Sequence, residues 1–143
     1  MRTNGDIMTR YWLCIINEDN YKIVKQEKTL GVNEQYSLAL RKFKKGDMVV
    51  FYVKRRKLGG AFQVDSNMYE DRENIIFSGG DFPYRIKLKI VKLPKSGMIE
   101  WDDEMIRRVQ FFRNKEKWML HLLGRAFCEI SIGDYGYLYS RIT

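Results

Sequence analysis

The chain has 143 residues, the size of one ordinary domain, so a single core is expected. Apolar residues make up 45% of it and aromatic ones 14%, which excludes a disordered polyelectrolyte. Twenty-six Lys and Arg against 18 Asp and Glu leave +8 at neutral pH, a field that draws polyanions, nucleic acid foremost. Cys14 and Cys128 lie far apart and outside any Cys-x-x-Cys pair. They read as buried, reduced thiols of a cytoplasmic protein. Residues 1–10 hold no apolar signal core, and no uncharged apolar run nears the ~18 residues of a membrane span. Residues 1–8 are read as a flexible leader and 9–143 as one domain.

In chain order, Tyr11 to Ile16 is a short run rich in aromatic and β-branched residues, closed by a polar segment, which predicts a buried strand. Asn17 can cap a helix from Glu18 to about Lys28, where Tyr21, Ile23 and Val24 share one side. Gly31-Val32-Asn33 reads as a turn or loop, followed by a short helix with Tyr36, Leu40 and Phe43 at helical spacing. Met48 to Val53 is apolar at every position, so both faces of that strand should be covered. Lys54-Arg55-Arg56-Lys57 leaves the core, and Gly59-Gly60 permits a tight reversal into Ala61 to Val64. Asp65 to Asp81 is polar and loop-like. From Tyr84 to Ile90 the pattern alternates, with Ile86, Leu88 and Ile90 facing in and Arg85, Lys87 and Lys89 out. Val91 and Leu93 then switch phase, the mark of a β-bulge. Beyond Pro94 short helices are expected at Glu104 to Val109 and Gly133 to Ile142, with a turn from Trp118 towards Leu123. Strands outnumber helices and no strand–long-helix alternation appears, which predicts a compact α+β barrel.

Charge is uneven. Residues 41–57 hold eight cations against Asp47 alone; if the helix end and hairpin loop share one end of the barrel, they form a single phosphate-binding rim. Any single lysine is more simply a solvated side chain, but two clusters around a wholly apolar strand point to function. Enzyme chemistry finds little support. His121 is the only histidine and has no nucleophile in a recognisable arrangement beside it. Gly59-Gly60 and Gly79-Gly80 lack the Lys-Ser/Thr ending of a phosphate loop. Asp102, Asp103 and Glu104 read as a helix N-terminus rather than a metal site, and no cofactor is expected. The many aromatics are mostly core, yet a barrel mouth with spare rings suits a base held out of a helix.

Tyr11-Trp12-Leu13-Cys14-Ile15, Gly31-Val32-Asn33, Lys45-Gly46-Asp47-Met48-Val49-Val50-Phe51-Tyr52-Val53 and Phe62-Gln63-Val64, in that order and at these separations, resemble the EVE domain. Pro83 to Leu88, and Phe112-Arg113-Asn114-Lys115 leading to Trp118, are similar to its archaeal stand-alone UPF0310-type members. The resemblance implies a PUA-like mixed β-barrel decorated with short helices, related to the PUA, ASCH and YTH domains. It further implies a non-catalytic module that reads a modified base of DNA or RNA, with an effector protein, if any, acting in trans. A small enzyme or binding protein for a free modified nucleobase or nucleotide is the alternative. Carried over by position, the base pocket would comprise Trp12, Cys14, Gly31, Val32, Asn33, Tyr52 and Phe62, bordered by Phe82, Pro83 and Tyr84. Lys44, Lys45, Lys54, Arg55, Arg56, Lys57 and Arg85 would hold phosphates. YTH domains carry a cage tryptophan after the Gly-Val pair, where this chain has Asn33, whose amide suits a base edge. The ASCH pattern tied to catalysis, Gly-x-Lys-x-x-Glu-x-Arg, is absent.

Overall fold

The structure, a computed structural model, describes residues 8–109 and 126–143. In order these form β1 (Tyr11–Ile16), α1 (Glu18–Glu27), β2 (Thr29–Val32), a 3-10 turn (Glu34–Tyr36), α2 (Ser37–Leu40), β3 (Met48–Val53), β4 (Lys57–Val64), β5 (Tyr69–Glu70), β6 (Tyr84–Lys92), β7 (Ile99–Glu100), α3 (Asp103–Arg108), β8 (Phe127–Ile130) and α4 (Ile132–Arg141). The sheet runs β2-β6-β4-β3-β1-β8, with β5 also on β6 and β7 also on β4. It curls into a half-barrel. β1 and β3 are parallel, Tyr11 opposite Met48 and Ile16 opposite Val53; the other pairs are antiparallel.

The unbroken apolar runs of β1 and β3 follow from two cores, one on each face of the sheet. Leu13, Ile15, Val50 and Tyr52 point to a layer with Trp101 and Met105 of the α3 region and Leu138 of α4. Trp12, Cys14, Val49, Phe51 and Val53 point the other way, to Tyr21, Phe43, Phe62 and Ile86. A strand with a period of two presents an apolar side chain to each layer only if every position is apolar. Fully burying such a side chain contributes about 1.5–3 kcal/mol.

Asn17 caps α1 as expected, its side chain accepting from the Asn20 N–H at 2.8 Å. The bulge in β6 is also present: Phe62 pairs with Ile90 and Ala61 with Lys92, leaving Val91 as the extra residue. Several expectations need correction. Gly31 and Val32 lie in β2, opposite Arg85 and Tyr84 of β6, because β6 supplies a partner that local composition does not announce. Gly59 and Gly60 sit inside β4, while the reversal falls at residues 54–56. These glycines serve close packing: a Cβ on Gly59 would lie 2.7 Å from the Tyr21 ring, and one on Gly60 2.7 Å from the Lys92 carbonyl oxygen. The Gly60 N–H donates to the Tyr21 hydroxyl at 2.7 Å. Arg85 is buried rather than outward, under the 71–82 segment, and Ile90 is exposed rather than inward. The strands β5, β7 and β8 were not foreseen. Residues 1–7, Phe112 to Trp118, the expected turn towards Leu123 and His121 lie outside the described residues.

Candidate functional site

At the C-terminal end of β1 the curled sheet leaves a cavity of about 180 Å³. Ile15 and Ile16 of β1, Asn17 and Asn20 at the head of α1, and Leu30 to Asn33 form one side; Phe77, Phe82 and Phe127 supply rings, and Lys54 stands at the edge. The backbone explains the convergence. β1 and β3 run in parallel and in register, so both strands end here together and deliver Asn17 and Lys54 to one place; the Lys54 N–H donates to the Ile16 carbonyl at 2.9 Å.

The segment carrying Phe77 and Phe82 is stitched down from below. Arg85, 2% exposed, donates to the carbonyl oxygens of Phe82 at 3.0 Å, Asn74 at 2.5 Å and Asp81 at 3.2 Å. It also pairs with Asp71 at 3.3 Å and lies against the Phe77 ring, 5.5 Å from its centroid. Four partners satisfy the rigid guanidinium fork, which a lysine could not reproduce. From the other side the Asn20 amide donates to the Ser78 carbonyl at 3.0 Å and accepts from the Ser78 N–H at 2.7 Å. Asp71 is held below the usual carboxylate range chiefly by the Asn74 side-chain amide, then by the N–H groups of Asn74 and Glu73, with Arg85 adding to the effect. Phe82 adopts a left-handed backbone, φ 43°, a conformation costing of order 1–3 kcal/mol that persists only where the surroundings impose it. Its ring meets Phe77 edge-on, centroids 5.7 Å apart at 85°. Gly31 makes room: a Cβ there would lie 2.6 Å from Phe77 Cε2 and 2.8 Å from the Phe82 carbonyl oxygen.

Of the polar wall, Asn17 is committed to its helix cap and Asn20 to Ser78. Asn33 begins the 3-10 turn without a side-chain cap bond and is exposed. It lines the cavity, and an amide not spent on a cap can offer both a donor and an acceptor there.

Of the residues named from sequence, Gly31, Val32, Asn33 and Phe82 line this cavity, together with Lys54. Pro83 is buried beside it, and half-buried Tyr84 donates its hydroxyl to Glu34 at 3.2 Å while accepting from Arg72 at 3.0 Å. Trp12 is instead packed flat on Phe43, centroids 4.2 Å apart, with Nε1 donating to Asp47 at 3.1 Å. Cys14 is in the core, its thiol pushed well up by burial, with Cys128 adding to the shift. Phe62 is wholly buried against Phe51. Tyr52 belongs to the opposite face, against Trp101.

The cations do not form the single rim expected. Lys44 and Lys45 precede β3 and Lys54 to Lys57 follow it, so the length of six strand residues separates them, about 20 Å. Arg56 pairs with Asp103 at 3.8 Å and Lys57 with Glu100 at 3.7 Å, on the α3 face; Arg85 is internal. Lys54 and Arg55 remain exposed near the cavity. Sequence reasoning missed Asn20, Phe77 and Phe127. Ile75-Ile76-Phe77, an apolar triplet inside an otherwise polar stretch, was the available signal for the second. Among the described residues no cluster of three metal-ligating side chains forms, and no helix is long and apolar enough to cross a membrane.

Comparison with known proteins bears on the whole chain. Residues 10–138 match the EVE domain. A UPF0310 protein of Pyrococcus abyssi is 36% identical over 137 residues, which span 87% of this chain and 94% of that protein. Among solved structures, the YTH domain of the Zygosaccharomyces rouxii MRB1 protein, in complex with N6-methyladenosine RNA, superposes with a TM-score of 0.65 at 12% identity, covering 100% of this chain and 90% of that one. Human THYN1, in complex with DNA containing 5-methylcytosine, does so at 0.60 and 15%, covering 92% and 96%. The architecture is PUA-like, and with a family match running from the start of β1 to within α4, the chain belongs to the EVE domain family.

Proposed function

We propose that this cavity receives a single modified base turned out of a nucleic-acid strand and holds it without altering it. The observation that carries this reading is the pairing of Phe82, held rigidly on the stitched 71–82 segment, with the uncommitted amide of Asn33 around one cavity. At about 180 Å³ the space is smaller than the roughly 300–1,000 Å³ cleft of a drug-sized ligand, and suits one ring system. Aromatic walls supply stacking, and one amide supplies directional bonds to a base edge. Lys54 and Arg55 stand where the flanking phosphates would pass. The fold is shared with proteins solved on N6-methyladenosine RNA and on 5-methylcytosine DNA, which makes methylated bases the first ligands to test. Cys14, neutral and buried, supplies no nucleophile.

The test is binding of oligonucleotides bearing one 5-methylcytosine or one N6-methyladenine, against unmodified controls. One modified strand is expected to bind at least tenfold tighter than its control. Phe82→Ala should cost about 1–3 kcal/mol of that affinity, the usual worth of a base–aromatic stack, and Asn33→Ala should erase the preference. Equal affinity for every strand would overturn the reading. If Lys54→Glu with Arg55→Glu leaves affinity for the modified ligand intact, the ligand is a free nucleobase or nucleotide.

A further inference from the structure

The second basic cluster, at the other end of β3, is as deliberately held as the first. Arg41, Lys42, Lys44 and Lys45 surround Phe43, which is fully buried and stacked on Trp12. Asp47, also fully buried, accepts from the Lys44 N–H at 3.0 Å, from Trp12 Nε1 at 3.1 Å and from the Arg10 N–H at 3.1 Å. The backbone of this tip is thus pinned at its centre while its four cations point outward. All four residues are exposed. Among the described residues, Arg41, Lys44, Lys45, Lys54 and Arg55 take part in no ion pair, whereas Arg10, Arg56, Lys57 and Arg85 each face a carboxylate.

Between the two ends lie two cavities with a common wall. Phe127, half-buried, lines the base cavity and also a second, open depression of about 610 Å³ whose walls include Trp12, Ala39 and Lys42, with the Arg10–Glu129 pair at its margin. Tyr36 stands beside the same ring, centroids 6.3 Å apart, and lines the base cavity too. From Lys54 to Lys42 the path is cavity, aromatic divider, depression, cationic tip.

We infer that this path is the track of a single polynucleotide strand: one nucleotide enters the cavity, its neighbour crosses Phe127, and phosphates farther along are gripped by Arg41, Lys42, Lys44 and Lys45. The inference rests on the base-reading proposal and adds to it the form of the ligand, a single strand several nucleotides long. A single strand is favoured over a duplex because a base must leave its stack to enter the cavity, which costs least where it is not already paired. Cations spaced along a groove, with rings between them, are the general solution for holding such a strand.

The experiment compares the whole chain with the triple variant Arg41→Glu, Lys44→Glu and Lys45→Glu, whose substituted side chains are exposed and whose thermal midpoint should match. The probes, made once with N6-methyladenine and once with 5-methylcytosine, are the methylated nucleoside monophosphate, a ten-nucleotide single strand carrying one methylated base, its unmodified counterpart, and a duplex of the modified strand. The unaltered protein should bind the modified ten-mer at least tenfold tighter than the mononucleotide and tighter than the duplex. In the triple variant that length advantage should vanish, mononucleotide affinity should persist, and the slope of log K against log salt should shrink by about 0.7 for each phosphate contact removed. Unchanged ten-mer affinity and slope in the variant, or a preference for duplex, overturns the track. The two proposals separate cleanly. If every ten-mer, with either methylated base or none, binds alike and all are lost in the variant, the base reading fails and the track stands; if a methyl preference survives in a variant that binds as well as the parent, the track fails and the base reading stands.

Discussion

Gly31 shows how much one side chain decides at the cavity. Its missing Cβ is the space that the edge of Phe77 and the Phe82 carbonyl occupy, at 2.6 and 2.8 Å from where that carbon would be. The Phe82 carbonyl is anchored to Arg85, so the ring of Phe77 has to move. Overpacking of this kind typically costs 1–3 kcal/mol. Gly31→Ala is expected to lower the thermal midpoint and to weaken ligand binding further than the stability loss accounts for, because the displaced ring is part of the wall. Calorimetry and a binding titration on the same sample read the two effects; normal affinity in a destabilised variant would remove Phe77 from the site. The pair Gly31-Val32 was legible in the sequence as a candidate, yet the reason for the glycine was not. Its neighbour Phe77 lies 46 positions away in the chain.

At the scale of elements, the caps were readable and their second tasks were not. Asn17 follows from the standard preference for Asn before a helix, but that the same turn carries Asn20 to the cavity and to Ser78 depends on the approach of the 71–82 segment. Asp102 behaves alike at α3. One oxygen accepts from the Met105 N–H at 2.8 Å and the other from Arg141 of α4 at 2.6 Å. The N–H bond first, and the guanidinium with it, hold its carboxyl below the usual carboxylate range. A pKa depressed on folding means that the charged form stabilises the native state above the ordinary carboxylate value, about 3.9, and that this contribution disappears as pH falls through the lower folded value. Thermal midpoints from pH 7 to 5 should therefore be insensitive to this group, and the difference between the parent and Asp102→Asn should shrink below about pH 4. Asparagine keeps an oxygen for the cap while losing the charge, so the difference measures what the charge adds to both the Met105 and the Arg141 contacts. A difference that stays constant down to pH 2 would assign no linkage to this carboxyl.

For the whole molecule, the sheet separates two tasks. The face that packs on α3 and α4 is a core layer, with Trp101 completely buried; the face towards α1 and α2 carries the base cavity at its edge. Trp101→Ala should cost about 3–5 kcal/mol of stability, read as a lowered midpoint, while the folded fraction binds its ligand normally. A parallel loss of affinity would show that the two layers are coupled. The sequence by itself determined the strands β1 and β3, the cap of α1, the bulge of β6 and the positive charge, because each is set by residues within a few positions of one another: apolar runs, an Asn before a helix, a break in alternation. It also carried the family, through motifs whose order survives without knowledge of the fold. Only the tertiary structure decided which of ten candidate residues meet at the cavity, that Arg85 is an internal clamp, and that two basic clusters lie at opposite ends of one strand. Those are outcomes of strand pairing between distant segments. A local pattern states which faces want burial, whereas the partner that buries them comes from elsewhere in the chain.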